Sequence, residues 1–496
     1  MTSLPPATSH QRDRALDVLL SGSLEPIVDM VAWSTALDAY EVASANGAVR
    51  FRRERDSDAR FVVEWVTGQS PVAVQDQTRF AGLDAERATP HPIRNLNSYP
   101  NAFEQFAQLF DHASAPDLCV IHSAAHNWAD QGGHLGEHGS LGVVQARAPF
   151  IVAGAGAARL GMADIGCRLI DVAPTALQFL GAKGTVEGGA KVLSHQDGSV
   201  IEDLVDGHGQ ARHLIGFLWD GTNPNVLYDL AARGDAPNVA RLIAEGTACR
   251  YGALASLPTV TLANHTTILT GSHPGHNGIL HNAWIDRRTG AQVITNSPAT
   301  WATSMQWLNV GVETMHHAAK RVRPGTTASI NEPCDAGADY STFGLVRNGE
   351  RPSPSPPEDL PDATPRFVRP SKDYRWSSRA DHTAVEQFTR VWRDDDQPVF
   401  TWVNFTLTDA AFHEGGPYSE MAASAVCDSD ARLGRILEVV ERSGLWDQCA
   451  FFLVADHGMQ ESDPAVQGDW DVALAEANVP VRDEGYGFLY LSEPRA

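Results

Sequence analysis

Positive charge is scarce in this chain. Against 61 Asp and Glu stand only 38 Lys and Arg, a formal net charge of −23 over 496 residues. A nucleic acid polymer is excluded as a docked partner, because binding a phosphate backbone needs a basic surface. A small anionic substrate remains open, provided bound metal supplies the positive charge that the side chains lack. The chain also has no run of about 18 apolar residues that could span a bilayer. Its start runs from Met1 into the polar segment Ser9 to Arg14 without the apolar core of a signal peptide, so no membrane partner and a cytoplasmic location are expected. The six cysteines (Cys119, Cys167, Cys249, Cys334, Cys427, Cys449) form no CxxC pair, which excludes a zinc knuckle and points to reduced, buried thiols. With 43% hydrophobic and 20% charged residues, the composition is that of a globular protein with a large core.

Apolar runs alternate with helical patterns. Asp117 to His122, Pro149 to Gly154, His213 to Trp219, Val399 to Phe405 and Cys449 to Val454 read as buried strands. Leu169 to Gly181, Val226 to Gly246, a helix from Thr261 to Gly271, and Glu420 to Ser443 read as helices. This alternation predicts an α/β fold, a largely parallel central sheet sandwiched by helices, with a small cap or insertion over residues 285–385. The start of the chain is more β-rich. Residues 196–212 are the expected linker between a part covering 1–195 and a part covering 213–496. The proline-rich stretch 351–361 is expected to be a surface loop or part of a cap, since successive prolines remove donors and fix φ.

Thr261 stands at the expected start of a helix, a natural anion site. A threonine there is commonly only an N-cap. Three acidic strand ends change its context: Asp220-Gly221, Asp456-His457-Gly458, and Asp409 with His413 four residues later. Open α/β sheets bind their ligands at the carboxyl ends of strands, and mixed Asp and His ligands suit Zn²⁺, with Mn²⁺ or Fe²⁺ as alternatives. The twelve tryptophans and the remaining histidines after Thr261, at 265, 273, 276 and 281, read as core or hydrogen-bonded structural residues.

Taken together, Asp220-Gly221, the stretch from Pro258 through Thr261, Asn264 and His265 to His276, Asp409 to His413 with Gly416-Pro417, and Ala455 to Met459 resemble the alkaline phosphatase superfamily, specifically its type I phosphodiesterase/nucleotide pyrophosphatase branch. The resemblance implies two divalent ions. One would be held by Asp220, Thr261, Asp456 and His457, the other by Asp409, His413 and a further histidine. In that family the last histidine follows the Asp-His-Gly motif, yet no histidine occurs from Met459 to Ala496. Gly132 to Ser140, Ala148 to Gly154 and Asp171 to Gly181 look like the missing segment, placed ahead of the nucleophile. A circular permutation is therefore expected, with His138 as the third ligand of the second ion and His134 as the fallback. A tandem of two halves is the competing arrangement.

The resemblance further implies that Thr261 attacks phosphorus to give a phosphothreonine, with Asn264 and the backbone N–H groups of the helix start binding a non-bridging oxygen. The implied substrate is a small phosphate ester, possibly a nucleotide. Alternatives on the same ligands are a phosphonoacetate-hydrolase-like or phosphomonoesterase activity, and, from another class, a metal-binding pseudoenzyme. A sulfatase is disfavoured, because Thr261 lacks the Cys/Ser-x-Pro-x-Arg setting.

Overall fold

The structure, a computed structural model, describes all residues except 1–3, 5, 55–59, 129–133, 185, 187–188, 190, 208–209, 353–371, 394–395, 485–486 and 492–496. Its main sheet has eight strands: β1 (Phe150–Gly154), β2 (Gly161–Ala163), β3 (His213–Trp219), β4 (Gly246–Cys249), β5 (Thr327–Ile330), β6 (Tyr340–Ser341), β7 (Phe400–Phe405) and β8 (Cys449–Val454). They lie in the order β6-β5-β7-β3-β8-β1-β4-β2. The five from β6 to β8 are parallel, and only β1 runs antiparallel to both its neighbours, β8 and β4.

β3, β7 and β8 are apolar almost without interruption because helices cover both faces of the sheet. The helices that matter here are α1 (Val172–Phe179), α2 (Pro224–Arg233), α3 (Pro237–Ala244), α4 (Thr261–Thr270), α5 (Lys372–Val391), α6 (Leu407–Gly415) and α7 (Glu420–Arg442). Val172, Leu177 and Phe179 of α1 and Ile268 and Leu269 of α4 join the core on one face. Leu227, Val239, Phe388 and Leu433, from α2, α3, α5 and α7, fill the other. Among the described residues no helix is long and apolar enough to cross a membrane.

Two strands of this sheet, β1 and β2, come from the first 195 residues, and β1 lies between β8 and β4 of the later part. A second sheet of seven antiparallel strands also mixes the two parts. It runs from Val481–Glu484 and Phe488–Leu491 through Leu118–His122 to four strands between Val28 and Gly68.

One expectation needs correction. Residues 285–385 are not simply a cap, because β5 and β6 fall within them and extend the main sheet beyond β7. The 196–212 segment is anchored where it begins: Asp197 accepts the His273 N–H at 2.8 Å, and its own N–H donates to Gly271 O at 2.8 Å. Most of the expected 351–361 loop lies outside the described residues.

Candidate functional site

Strand ends deliver the acidic residues to one place. Asp220 follows β3, Asp456 and His457 follow β8, and Asp409 enters on the first turn of α6 just after β7. One helical turn later on α6 comes His413, whose Nε2 lies 3.4 Å from Asp409 Oδ1. Gly221 makes the approach possible. Its φ of +63° suits glycine, and a Cβ there would lie 2.5 Å from Asp409 Oδ1. Its N–H donates to Asp456 Oδ1 at 3.0 Å, while Thr408 Oγ1 donates to Asp220 O at 2.6 Å.

His138 arrives from the first part of the chain. Gly136–Glu137 pairs antiparallel with Gln460–Glu461, just beyond His457, and Gly139 bridges to Thr259, just ahead of Thr261. The His138 ring stacks on His457 with centroids 3.6 Å apart and lies 4.9 Å from His413. Each of these three histidines is oriented through Nδ1 by a backbone carbonyl: Thr259 O for His138 at 2.8 Å, Gly136 O for His413 at 2.8 Å, Gly458 O for His457 at 3.0 Å. Every Nε2 is left with a lone pair for the centre, the orientation seen in metal-ligating histidines. His134, with its ring 4.7 Å from that of His413, groups instead with Glu137 and His413.

The donors fit divalent cations. Asp220 Oδ1, Asp409 Oδ1, Asp456 Oδ2 and His457 Nε2 are all buried with no hydrogen-bond partner. Such orphans are costly unless an ion completes them. His138, Asp409 and His413 offer donor atoms within 4.8 Å of one another, and so do Asp220, Asp409 and His457. Burial, reinforced by Asp456 and Asp409, pushes the Asp220 carboxyl well above the usual range. Burial also acts on Asp456, but His457 and His265 outweigh it and hold that carboxyl at about 2. Burial, with His457 and His413 beside it, holds His138 well below the usual histidine range and so neutral, the form that ligates metal.

Thr261 is the first residue of α4; the N-cap is Val260, which makes no side-chain cap. The threonine is therefore not spent as a cap. It lines a narrow cavity of about 50 Å³ with Asp220, walled by Trp301, Phe343 and Trp376 and by Asn296, Asn331 and Asn404. No lysine or arginine is among its described lining residues.

Asn264 does not reach that cavity. Its Oδ1 accepts the Ser256 N–H at 2.8 Å, and its Nδ2 donates to the carbonyls of Ser256, Pro258 and Val260 at 3.1, 2.9 and 3.2 Å. The amide is fully used in pinning the loop before Thr261, which overturns its expected role on a substrate oxygen. The amide at the helix start is that of Asn282, whose Oδ1 accepts the Leu262 N–H at 3.2 Å.

Residues 214–495 match the model of the type I phosphodiesterase / nucleotide pyrophosphatase family. The chain belongs to this family. It is similar to a venom phosphodiesterase of Macrovipera lebetinus, 27% identical over 231 residues, 45% of this chain and 23% of that protein. It is also similar to ectonucleotide pyrophosphatase/phosphodiesterase family member 3 of Mus musculus, 24% identical over 231 residues, 46% of this chain and 22% of that protein. The chain thus spans less than a quarter of these relatives' length. Among solved structures, murine ectonucleotide pyrophosphatase/phosphodiesterase 5 aligns at 18% identity and a TM-score of 0.35, covering 50% of this chain and 57% of that one. Phosphonoacetate hydrolase from Sinorhizobium meliloti 1021, in complex with phosphonoformate, aligns at 20% identity and a TM-score of 0.34 with the same coverages.

The matched span of this phosphodiesterase-family chain holds every expected site residue except His138. Two residues of the centre were not anticipated as such. His265 Nε2 lies 3.4 Å from Asp456 Oδ2, and behind it Glu332 is buried 2.9 Å from His265 Nδ1. The signal for His265 was present, since it sits one turn after Thr261 and so on the same helix face. For Glu332, between Asn331 and Pro333, the local sequence carries none.

Proposed function

We propose that this protein is a metal-dependent phosphodiesterase of the nucleotide pyrophosphatase type, with Thr261 as nucleophile. The observation that carries this is the grouping of orphaned buried donors, Asp409, Asp456 and His457, around Asp220, which lines the same cavity as Thr261. Two divalent ions would be held there, Zn²⁺ by donor type: one by Asp220, Thr261, Asp456 and His457, the other by Asp409, His413 and His138. His138 is preferred to His134 because it shares a donor group with Asp409. When bound, the ions lower the pKa of a coordinated hydroxyl and neutralise charge that builds up on phosphate oxygens.

The chain's own residues do the rest. Thr261 Oγ, having lost its proton, forms a bond to phosphorus as the bond to the leaving alcohol breaks on the opposite side. Asn282, held at the α4 start by the Leu262 N–H it accepts through Oδ1, would offer its Nδ2 hydrogens to a non-bridging oxygen of the phosphoryl group. Water then attacks the phosphothreonine, the P–O bond to Thr261 breaks, and the hydroxyl regains a proton. The cavity supports a diester over a monoester. Its aromatic and carboxamide walls suit an uncharged second substituent and offer no cationic side chain to a free dianion.

The order of segments is proposed to be a circular permutation of the family's arrangement. Support comes from β1 between β8 and β4, and from His138 beside His413 and His457. The cysteines, scattered without a CxxC pair and five of the six buried, support a cytoplasmic setting, which cell fractionation would test.

Purified protein should carry about two transition metal ions and hydrolyse bis(p-nitrophenyl) phosphate faster than p-nitrophenyl phosphate or phosphonoacetate. Thr261→Ala should abolish turnover while metal is retained. Full activity in that variant removes Thr261 as nucleophile, and a monoester or phosphonate preference replaces the diester reading.

A further inference from the structure

We infer that His265, oriented by Glu332, is an additional ligand of the ion held between Asp220 and Asp456. The inference rests on the two-ion reading above and goes beyond it, because it adds an inner donor and an outer carboxylate to that ion's surroundings.

The geometry on the far side of the ring fixes the tautomer. Nδ1 lies 2.9 Å from Glu332 Oε2 and 3.2 Å from Oε1. Glu332 is wholly buried and otherwise serves only as an acceptor, of the Cys334 N–H at 2.8 Å and the Trp402 Nε1–H at 3.0 Å. A carboxylate held by such donors takes a hydrogen from Nδ1, so the His265 lone pair stands on Nε2. This pairing of carboxylate and histidine is the arrangement that orients metal-bound imidazoles and strengthens them as donors.

On the near side, Nε2 is buried, has no hydrogen-bond partner, and lies 3.4 Å from Asp456 Oδ2 and 3.7 Å from Asp220 Oδ2. Asp456 Oδ2 is itself an orphan, because the Gly221 N–H goes to Oδ1. The three donor atoms lie within 4.8 Å of one another. The separations of 3.4 and 3.7 Å are close to the roughly 3–3.5 Å between neighbouring donors of one ion at ~2.0–2.1 Å, and His265 raises that ion's protein ligands from four to five. A simple hydrogen bond from Nε2 to one carboxylate would leave the other oxygen unserved, whereas an ion serves all three.

The consequence reaches the nucleophile. Thr261 and His265 are one turn apart on α4, so an ion bound by both grips the helix at two points and fixes where the Thr261 hydroxyl stands. His265 is thus a positioning residue for the attack, and Glu332 a positioning residue for His265.

The test is metal binding by the full chain, stripped with a chelator and titrated with Zn²⁺ against a chromophoric competitor, alongside the visible spectrum of the Co²⁺ form. Wild-type protein should take up two ions. His265→Ala should weaken one of them by about 10–100-fold or more and change the Co²⁺ spectrum. Glu332→Gln, which keeps the shape of the side chain, should weaken the same ion by about 10-fold. His413→Ala should weaken the other ion and leave the His265-dependent one in place. Native-like affinities and spectra in folded Glu332→Gln and His265→Ala would overturn the inference while leaving the two-ion reading intact. A wild-type protein that takes up no ion removes that reading, and this one with it.

Discussion

Two asparagines near Thr261 do opposite jobs, although sequence position alone favours the wrong one. Asn264, three residues after Thr261, spends its whole amide on Ser256, Pro258 and Val260. Asn282, twenty-one residues away, meets the first turn of α4 through the Leu262 N–H. Asn282→Ala should therefore lower kcat by about 10²-fold or more with metal content and Tm nearly unchanged, as for loss of one donor to a developing oxyanion. Asn264→Ala should instead lower Tm, because it removes the side-chain partner of the buried Ser256 N–H and carbonyl at about 1–3 kcal/mol each. Paired rate measurements and thermal melts decide between them; a kcat loss confined to Asn264→Ala would reverse the assignment. Asp220, Thr261, Asp409, His413, Asp456 and His457 were legible because each sits at a strand end or helix start in a short motif. Asn282 and Glu332 were not, because their roles depend on where loops return in space.

At the scale of elements, α6, which carries Asp409 and His413, has no side-chain cap from its own N-cap residue, Thr406, whose conformation is helical. The cap comes from another helix: Asp381 of α5, fully buried, accepts the Thr406 N–H at 2.8 Å through Oδ1 and the Leu407 N–H at 3.2 Å through Oδ2. One carboxylate thus satisfies two amides at the helix start, where negative charge also complements the helix dipole. α5 lies largely within the stretch expected to be a cap, so its contribution to the site could not be seen from hydrophobic periodicity. Asp381→Ala should lower Tm and weaken the ion bound by Asp409 and His413 by several-fold, whereas Asp381→Asn, which keeps one acceptor, should do less. Zn²⁺ titration with thermal melts measures both effects. Unchanged affinity in a destabilised Asp381→Ala would separate the cap from the metal centre.

At the scale of the molecule, the missing C-terminal histidine was the most useful absence in the sequence, because it directed attention to His138 in the first part. The seven-stranded second sheet was not anticipated. Leu118–His122 and a β-rich start were legible, but the strands are split between the two parts of the chain, so no local pattern announces that they pair. That sheet brings residues near both ends of the described chain together: the Ala7 N–H donates to Asp117 Oδ1 and the Leu491 N–H to Asp117 Oδ2, each at 2.9 Å. Residues 7 and 491 are thus neighbours. Among the described residues of 183–212, by contrast, the connection between the parts shows the short 3₁₀ turn Glu202–Leu204 and isolated bridges at Val186, Lys191 and Val205, and no longer helix or strand. If the segment order is a permutation of the family's arrangement, the chain can be rewired. A variant opened between residues 183 and 195, with 491 joined to 7 by a short flexible linker, should fold, bind two ions and keep its phosphodiesterase rate within about 10-fold, since every strand neighbour and ligand stays in place. Circular dichroism, metal analysis and diester turnover on the rewired protein provide the check. A chain that fails to fold, while a control carrying the same linker inserted between 183 and 195 without rearrangement folds normally, would show that the present order of segments is itself required.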